Sequence, residues 1–429
     1  MYWEKEIETL DRANLEKLQA ARLGETLGRA QQSIHYGKVF KETGLDTDRI
    51  RTVADVGMLP LTTKEDLREQ WPYGFLACSR DELIRMHSSS GTTGRATVIF
   101  HTKGDIAAWT NLLARSMYMT GMRRSDVFQN MMTYGLFTGG LGFHYGAEKI
   151  GALVIPAGAG NSKRQIQLMR DFDTTAIHII PSYALHLSTV FAETGVDPRR
   201  DTKLKIAFLG AEPHSEKMRQ KIEELYGFKG FNSYGLSEMN GPGVAFECRE
   251  KRGLHLWEDH FLMEIVDPQT GEALPDGERG ELVLTTLRRE AMPILRYRTR
   301  DITAIVKGRC RCGRTHRRIE RITGRADDMF IVRGVNVYPQ QVERVLMGVP
   351  ALGRNYQIVL EALGEMTVRV ELAPQSFDGR VDHLLHLRNE VVERLSAEIL
   401  VRPEVALVPP GTLPVSEGKA QRVIDRRKL

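Results

Sequence analysis

Hydrophobic and polar positions recur along the chain with two different periods, and each period predicts a different kind of element. Leucines among charged residues recur at roughly helical spacing, which predicts helix over the first forty residues. These leucines are Leu10, Leu15, Leu18, Leu23 and Leu27. Thr62 and Glu65 have the spacing of a capping box, so we expect a helix to start there with Thr62 as its cap.

A second pattern begins near residue 83, where short β-branched or apolar runs alternate with stretches of helical length as far as residue 305. The runs span residues 97–100, 152–155, 176–180 and 205–209. This alternation is typical of a layered α/β domain with a largely parallel sheet. Residues 261–266 and 280–284 are separated by a turn signal at 267–271, which predicts antiparallel strands.

The last hundred residues have a pattern of their own. Strands are predicted at 356–360, 366–372 and 404–408, with an amphipathic helix over 381–400. We therefore predict a large N-terminal α/β domain over residues 1–326 and a small C-terminal α+β domain over 327–429, with the boundary near Asp327.

Composition narrows the class of protein. The chain has 429 residues, 41% hydrophobic and 27% charged, which is ordinary for a soluble globular protein. Its 60 Lys and Arg against 55 Asp and Glu give a net charge of +5, which excludes a polybasic nucleic-acid tail and suits anionic substrates. We find no signal peptide and no apolar run of the roughly 20 residues that span a membrane. Four cysteines are too few for a disulfide framework, so we expect a cytoplasmic protein. From the mild charge and the lack of an apolar span, we expect neither nucleic-acid nor membrane partners.

The sequence SSSGTTGR at residues 88–95 predicts a phosphate-binding loop between two strands. Small residues allow close approach of the backbone, and consecutive amides with hydroxyls bind anions. No GK[ST] follows at the spacing of a Walker A loop, and the alternative interpretation is an ordinary Ser/Gly-rich turn.

The sequence GLSEM at residues 235–239 is a candidate metal site. It is not a hydrolase nucleophile elbow, because Met239 stands where the second glycine is required. The Glu238 carboxylate is instead a hard ligand suited to Mg²⁺ beside nucleotide phosphates.

Three cysteines and a histidine suggest a second metal. Cys310 and Cys312 could occupy two corners of a tetrahedron, and Cys248 and His255 could complete a structural Zn²⁺ site. His260 and His316 compete for the fourth position, and a polar loop with two reduced thiols is the alternative.

Six motifs then follow one another along the chain: SSSGTTGRAT, LGAEP, NSYGLSE, RYRTRD, GRADDMFIVRGVNVYPQQVE and PVSEGKAQR. Their order resembles the adenylate-forming superfamily of acyl-CoA synthetases. The stretches LPLTTKEDL, YGLFTGGLGFHYGAEKIGA, GLSEMNGPGVAFEC, GLHLWEDHF and CRCGRTHRRI resemble its phenylacetate-CoA ligase branch more closely. The resemblance extends from Trp3 to the C-terminus. It implies the adenylate-forming fold, in which a large α/β domain with a β-barrel-like portion carries a small, mobile C-terminal domain.

The resemblance also implies site residues. Lys419 and Glu238 would be catalytic, Asp327 or its neighbour Asp328 the hinge, and Arg333 and Gly334 part of a tunnel for CoA. The residues implied to bind ATP or AMP are Ser90, Gly91, Thr92, Thr93, Gly94, Ala211, Glu212, Pro213, Asn232, Tyr234, Gly235, Ser237, Asp301 and Arg325. The residues implied to line the aryl pocket are Tyr134, Phe137, Gly140, Met239 and Pro242.

The implied reaction joins an aryl acid, phenylacetate or a ring-substituted relative, to AMP with release of pyrophosphate, and then to CoA. The alternative within the superfamily passes the aryl group to a carrier protein or another acceptor. An alternative of another class is a nucleotide-binding regulator without catalysis. Related ligases are often dimers, so a homodimer is the expected assembly.

Overall fold

The structure is a computed structural model that describes residues 2–89, 96–212, 214–326, 330–333, 335–361, 365–376, 381–414 and 422–427. Before residue 327 its α-helices are α1 (Lys5–Glu8), α2 (Arg12–Ala30), α3 (Ile34–Thr43), α4 (Lys64–Glu69), α5 (Lys103–Thr120), α6 (Gly139–Ile150), α7 (Ser162–Asp171), α8 (Pro181–Glu193), α9 (Pro198–Asp201) and α10 (Glu216–Tyr226). Its strands there are β1 (Leu83–Ser88), β2 (Val98–Thr102), β3 (Val127–Asn130), β4 (Leu153–Ile155), β5 (Ala176–Ile179), β6 (Ile206–Leu209), β7 (Lys229–Leu236), β8 (Gly241–Glu247), β9 (Leu254–Leu256), β10 (Phe261–Val266), β11 (Arg279–Thr286), β12 (Tyr297–Val306), β13 (Arg318–Ile319) and β14 (Gly324–Arg325).

One helix start differs from the prediction by a single residue. The N-cap of α4 is Thr63, whose side chain accepts from the backbone N–H of Asp66, and Asp66 completes the capping box. Thr62 belongs to the core instead, because its hydroxyl donates to the carbonyl of Leu295 at 2.6 Å and lies 2.8 Å from the Tyr36 hydroxyl. The prediction of Thr62 as the cap is therefore wrong.

A single large sheet organises the N-terminal part and confirms the α/β prediction. Its strand order is β10-β11-β12-β13-β9-β8-β7-β6-β5-β3-β4, with β14 paired to β12. The strands β4, β3, β5, β6 and β7 are parallel, and from β7 to β10 the pairs are antiparallel, including the predicted hairpin of β10 and β11. Ligands of α/β proteins bind outside the carboxyl ends of the parallel strands.

Aromatic side chains pack the helices onto this sheet. Phe143 of α6 lies within 6.4 Å, between ring centroids, of Phe128, Phe208 and Phe246, all of them buried. Burial of aromatic side chains is a large favourable contribution to folding, and this cluster packs α6 against β3, β6 and β8.

The C-terminal part has a hydrophobic core of its own. Its elements are β15 (Phe330–Val332), β16 (Val335–Val337), α11 (Pro339–Leu346), β17 (Leu352–Leu360), β18 (Thr367–Leu372), α12 (Val381–Ile399), β19 (Glu404–Val408) and β20 (Val423–Asp425). The four-stranded sheet has the order β19-β18-β17-β20 and buries Ile358 and Val368 against Val391 and Leu395 of α12. Within the described residues, no helix is both long and apolar enough to cross a bilayer.

Candidate active site and metal centre

In the antiparallel half of the large sheet, one carboxylate has a hydrogen-bond partner on each of its two oxygens. Strand β12 pairs with β14 so that Asp301 lies opposite Arg325, and Arg325 Nη1 is 3.2 Å from Asp301 Oδ1. The hydroxyl of Tyr234, from β7, donates to Asp301 Oδ2 at 2.6 Å. Burial and the neighbouring Asp301 charge raise the pKa of Tyr234, which keeps its hydroxyl protonated as a donor. Three predicted nucleotide-binding residues thus meet at one place.

The predicted magnesium ligand lies at the base of the predicted phosphate loop. Glu238 is buried in a short turn that follows β7, and its Oε1 accepts from the Thr97 hydroxyl at 3.2 Å. Ser89 and Thr97 close the base of the loop, since each donates its backbone N–H to the other residue at 3.0 Å. Burial and the Glu238 carboxylate raise the pKa of Tyr297, and Asp301 and Arg325 also act on that hydroxyl. The two carboxylates therefore share one electrostatic environment.

The predicted adenine-pocket segments lie on neighbouring parallel strands, one directly after β6 and the other within β7. Leu209 of β6 is paired with Asn232 of β7, so Ala211 and Asn232 lie at the same edge of the sheet. Ala211 has a left-handed backbone, with φ of 67°. The half-buried Glu212 accepts from the backbone N–H of Ser182 at 2.5 Å and from its hydroxyl at 3.0 Å, and burial raises the pKa of Glu212.

Gly235 and Ser237 have packing roles in the structure. A Cβ on Gly235 would lie 2.1 Å from the carbonyl oxygen of Gly241, so only glycine allows β7 and β8 to approach so closely. Ser237 is buried beside Glu238 in the turn after β7.

The two predicted walls of the aryl pocket are adjacent. A Cβ on Gly241 would lie 2.5 Å from the Cβ of Thr138, so the segments 131–140 and 239–242 are in contact. Met239 is buried, Tyr134 is half-buried and Phe137 is exposed. The Pro242 carbonyl accepts from the indole N–H of Trp109 at 2.8 Å, which fixes the second wall.

Sequence reasoning missed two polar residues behind the first wall. The amide Nδ2 of Asn130 donates to the carbonyl of Gly140 at 2.6 Å and to the Tyr134 hydroxyl at 2.8 Å. Its Oδ1 lies 3.2 Å from Nδ1 of His178, whose ring stacks on Phe143 with centroids 3.7 Å apart. Asn130 is the last residue of β3, and His178 lies near the end of β5. Because ligands bind at the carboxyl ends of parallel strands, their positions at strand ends could have marked them as candidates.

The cysteine and histidine candidates form one compact group. The donor atoms of Cys248, His255, Cys310 and Cys312 all lie within 4.8 Å of one another. Cys248 Sγ is 3.7 Å from Cys310 Sγ, and Cys312 Sγ is 3.3 Å from His255 Nε2. Sulfurs on a tetrahedral zinc ion lie about 3.8 Å apart, because each Zn–S bond is about 2.3 Å long. The residues therefore fit a four-coordinate zinc ion.

Hydrogen bonds around this group separate ligands from competitors. His255 places Nδ1 3.2 Å from the carbonyl of His316, which leaves Nε2 directed at the cysteines, as in many metal sites. Both ring nitrogens of His316 already have hydrogen-bond partners. Its Nδ1 accepts from the backbone N–H of Glu258, and its Nε2 lies 3.0 Å from the carbonyl oxygen of Ile7. His260 lies beside Asp259, with Nε2 3.6 Å from its Oδ2.

Several predicted residues lie outside the described ranges. They are Ser90, Gly91, Thr92, Thr93, Gly94, Pro213, Asp327, Asp328, Gly334 and Lys419. Arg333 is described and exposed, in the turn between β15 and β16 with φ of 50°.

Known proteins of similar sequence and structure identify the class. Residues 28–287 match the family AMP-binding enzyme, and residues 334–427 match the AMP-binding enzyme C-terminal domain. The phenylacetate-coenzyme A ligase of Thermus thermophilus is 44% identical over 446 residues, covering 100% of each chain.

Crystal structures of 2-hydroxyisobutyryl-CoA ligase share the fold of both parts. Its postadenylation state with R3-HIB-AMP gives a TM-score of 0.94 at 30% identity, covering 99% of this chain and 92% of that one. Its complex with 2-HIB-AMP and CoA in the thioesterification state gives 0.73 at 31% identity, covering 100% and 93%. The two parts of this chain are thus arranged as in the postadenylation state.

The fold and the site together define an adenylate-forming AMP-binding enzyme. Within that class, the full-length identity places the chain in the phenylacetate-CoA ligase family, to which it belongs.

Proposed function

We propose that this chain is an ATP-dependent aryl-CoA ligase whose acid is phenylacetate or a ring-substituted relative. The acid would displace pyrophosphate from ATP to give an aryl-adenylate, and the CoA thiol would then displace AMP and lose its proton. The observation that supports the proposal is the convergence of Tyr234 and Arg325 on the two oxygens of Asp301, next to Glu238. The choice of phenylacetate as the acid rests on the phenylacetate-CoA ligases among the relatives of this chain.

The first half-reaction brings a carboxylate against a polyanion, so the chain must supply positive charge and fixed acceptors where charge develops. Asp301 would accept the ribose hydroxyls, since a carboxylate has several acceptor lone pairs. Arg325 holds Asp301 and would face the ribose and α-phosphate, while Lys419 would reach the α-phosphate and the acid. Glu238 would hold Mg²⁺, which when bound neutralises charge on the phosphates.

The acid would lie between the two walls described above. Asn130 fixes Gly140 and Tyr134 in one orientation, so the first wall is held before the acid arrives. Aromatic and apolar walls with glycines leave a flat space suited to an aryl ring. We propose Tyr134, Phe137, Gly140, Met239 and Pro242 as its lining.

We further propose that the group of Cys248, His255, Cys310 and Cys312 holds one zinc ion with a structural role. Four protein ligands leave no open position for a substrate. Tyr2 donates its hydroxyl to the carbonyl of Cys312 at 2.9 Å, so the group also fixes the N-terminal segment. The cytoplasmic location, the homodimer, the hinge at Asp327 and the CoA tunnel at Arg333 and Gly334 remain predictions.

ATP–pyrophosphate exchange tests the proposed function. We expect exchange that depends on phenylacetate in the wild type and falls by at least about 100-fold in Asp301→Ala, because hydrogen bonds to a charged acceptor are lost. Asp267→Ala is the matched control, since Asp267 only caps a turn through the backbone of Gln269 and Thr270. Lys419→Ala should also lose exchange, with the exposed Lys307→Ala as its control. A regulator without catalysis would show no exchange in any of these proteins, and that result would refute the proposal.

A further inference from the structure

A buried carboxylate joins the C-terminal part of the chain to the N-terminal part. Glu343, on α11, is 5% exposed, and its Oε1 accepts from the backbone N–H of Ser215 at 2.9 Å. Ser215 is the N-cap of the eleven-residue helix α10 in the N-terminal part. A carboxylate at a helix N-terminus is stabilised by the helix dipole and by an otherwise unpaired amide. This hydrogen bond therefore favours one orientation of the two parts.

The same carboxylate continues the contact into the C-terminal sheet. The hydroxyl of Tyr356, on β17, donates to Glu343 Oε2 at 3.1 Å. The guanidinium of Arg422 lies 4.5 Å from the centroid of the Tyr356 ring and donates to the Tyr356 carbonyl at 3.3 Å. Arg422 follows Lys419 by three residues and directly precedes β20, which pairs with β17. A continuous path of contacts thus runs from Ser215 through Glu343 and Tyr356 to Arg422.

Charge reinforces the path. The positive charge of Arg422 acts on Glu343 and also on Glu212, in a segment predicted to line the adenine pocket. Burial raises the pKa of Glu343, and the Ser215 amide, Arg422 and Tyr356 oppose that effect. Buried charges are costly unless they are paired, so Glu343 depends on these partners.

A second contact between the parts does not involve Glu343. Arg354 of β17 donates to the carbonyl of Leu185 at 2.9 Å and contacts the hydroxyl of Ser188, both on α8. Loss of the Glu343 contact therefore leaves the two parts joined. What it removes is the pair of hydrogen bonds that Glu343 accepts from Ser215 and Tyr356.

We propose that Glu343 is a positioning residue for the first half-reaction, holding the C-terminal part against Ser215 of the N-terminal part in the arrangement that serves adenylation. The inference rests on the proposed function. It concerns adenylation alone, because the described arrangement matches the postadenylation crystal structure of 2-hydroxyisobutyryl-CoA ligase better than its thioesterification structure. Rotation to the second arrangement would separate Glu343 from Ser215.

The test measures the two half-reactions separately. Adenylation is followed by acid-dependent ATP–pyrophosphate exchange, and thioester formation by supplying synthetic phenylacetyl-adenylate with CoA. Glu343→Ala should lower the exchange rate constant about 10- to 100-fold while leaving thioester formation within about twofold, because a hydrogen bond to a buried charge is lost only in the first state. Glu343→Gln keeps an oxygen that can accept from Ser215, so it should restore most of the exchange.

Two further variants control for folding. Tyr356→Phe keeps the ring beneath Arg422 and removes only the hydroxyl, so it should lower exchange less than Glu343→Ala and preserve the melting temperature. Glu393→Gln changes an exposed glutamate on α12 and should change neither half-reaction. Equal loss in both half-reactions, or normal exchange in Glu343→Ala, would overturn the inference. A wild type without exchange would instead refute the proposed function, so the two failures are distinguishable.

Discussion

The hydroxyl of Tyr234 lies 2.6 Å from Oδ2 of Asp301, and the two residues come from strands that are not neighbours in the sheet. Asp301 is thereby held between Tyr234 and Arg325, which fixes the direction in which its remaining lone pairs can accept a ligand. Preorganised acceptors of this kind cost little reorganisation when the nucleotide binds.

Removal of that hydroxyl should weaken the nucleotide site without abolishing it. Tyr234→Phe keeps the ring and loses one hydrogen bond to a charged group, which is worth about 1.5–3 kcal/mol. Part of that stabilisation is recovered by solvent, so we expect the KM for ATP to rise about 10-fold with the KM for the acid little changed. Steady-state kinetics with each substrate varied in turn measure both values. An unchanged KM for ATP would mean that Tyr234 does not orient Asp301.

Asn130, which lies behind the first predicted wall of the aryl pocket, should affect binding of the acid and not binding of the nucleotide. Asn130→Ala removes the donors to the Gly140 carbonyl and the Tyr134 hydroxyl, so that wall loses its fixed orientation. We expect the KM for phenylacetate to rise about 10-fold, the amount that corresponds to about 1.4 kcal/mol, with the KM for ATP within about twofold. The two constants in one variant serve as internal controls. An equal rise in both would indicate a general loss of structure.

The metal proposal predicts a stoichiometry. Elemental mass spectrometry of the purified protein should find one zinc ion per chain. The variant Cys310→Ser should contain much less zinc and unfold at a lower temperature than the wild type. Cys78→Ser is the matched control, because Cys78 lies outside the group and should leave the zinc content at one per chain. Full stability with no bound metal would contradict a structural zinc site.

A buried ion pair that is not among the predicted nucleotide-binding residues should contribute to stability. Arg115 Nη1 lies 2.8 Å from Asp259 Oδ1, and both side chains are at most 2% exposed. Arg115→Met removes the hydrogen-bonded partner of the buried Asp259 carboxylate and leaves only the more distant Arg22, 3.7 Å away, so it should cost about 3–5 kcal/mol of the free energy of unfolding. The exposed pair of Arg402 and Glu393 provides the control, since Arg402→Met should cost less than about 1 kcal/mol. Denaturant titrations measure both values.

The same pair predicts a pH dependence. Burial opposes the charge of Asp259, but Arg115 together with His260 and His316 outweighs burial and holds the pKa of Asp259 well below its usual range. Its contribution is therefore fully present above the unfolded-state pKa of about 4 and is lost as the pH falls through lower values. The stability difference between wild type and Arg115→Met should stay constant from about pH 8 to 5 and shrink below about pH 4. A difference that shrinks between pH 8 and 6 would point to another group.

Residues with distinctive chemistry were predictable from the sequence, and residues that act through long-range contacts were not. Cys248 and His255 could be grouped with Cys310 and Cys312 because few residue types bind zinc. Thr62 and Thr63 both had a partner three residues on, and only the contact of Thr62 with Leu295 decides between them. That contact spans 233 positions and leaves no local signal.

The same limit explains the residues that sequence reasoning missed. Asn130 and His178 are separated by 48 positions and meet only because β3 and β5 are adjacent and parallel. Glu343 is one of many glutamates, and its role depends on the backbone of Ser215, 128 positions away. The order of strands in the sheet, which periodicity alone does not specify, brings such residues together.

This chain is expected to make a CoA thioester from an aryl acid. The most direct measurement incubates the protein with phenylacetate, ATP, Mg²⁺ and CoA and quantifies phenylacetyl-CoA, AMP and pyrophosphate by mass spectrometry and coupled assay. We predict equimolar formation of the three products, with pyrophosphate release accelerated by CoA. Release of pyrophosphate without any thioester, at a rate that CoA does not change, would rule out CoA as the acceptor and indicate a carrier protein or another acceptor.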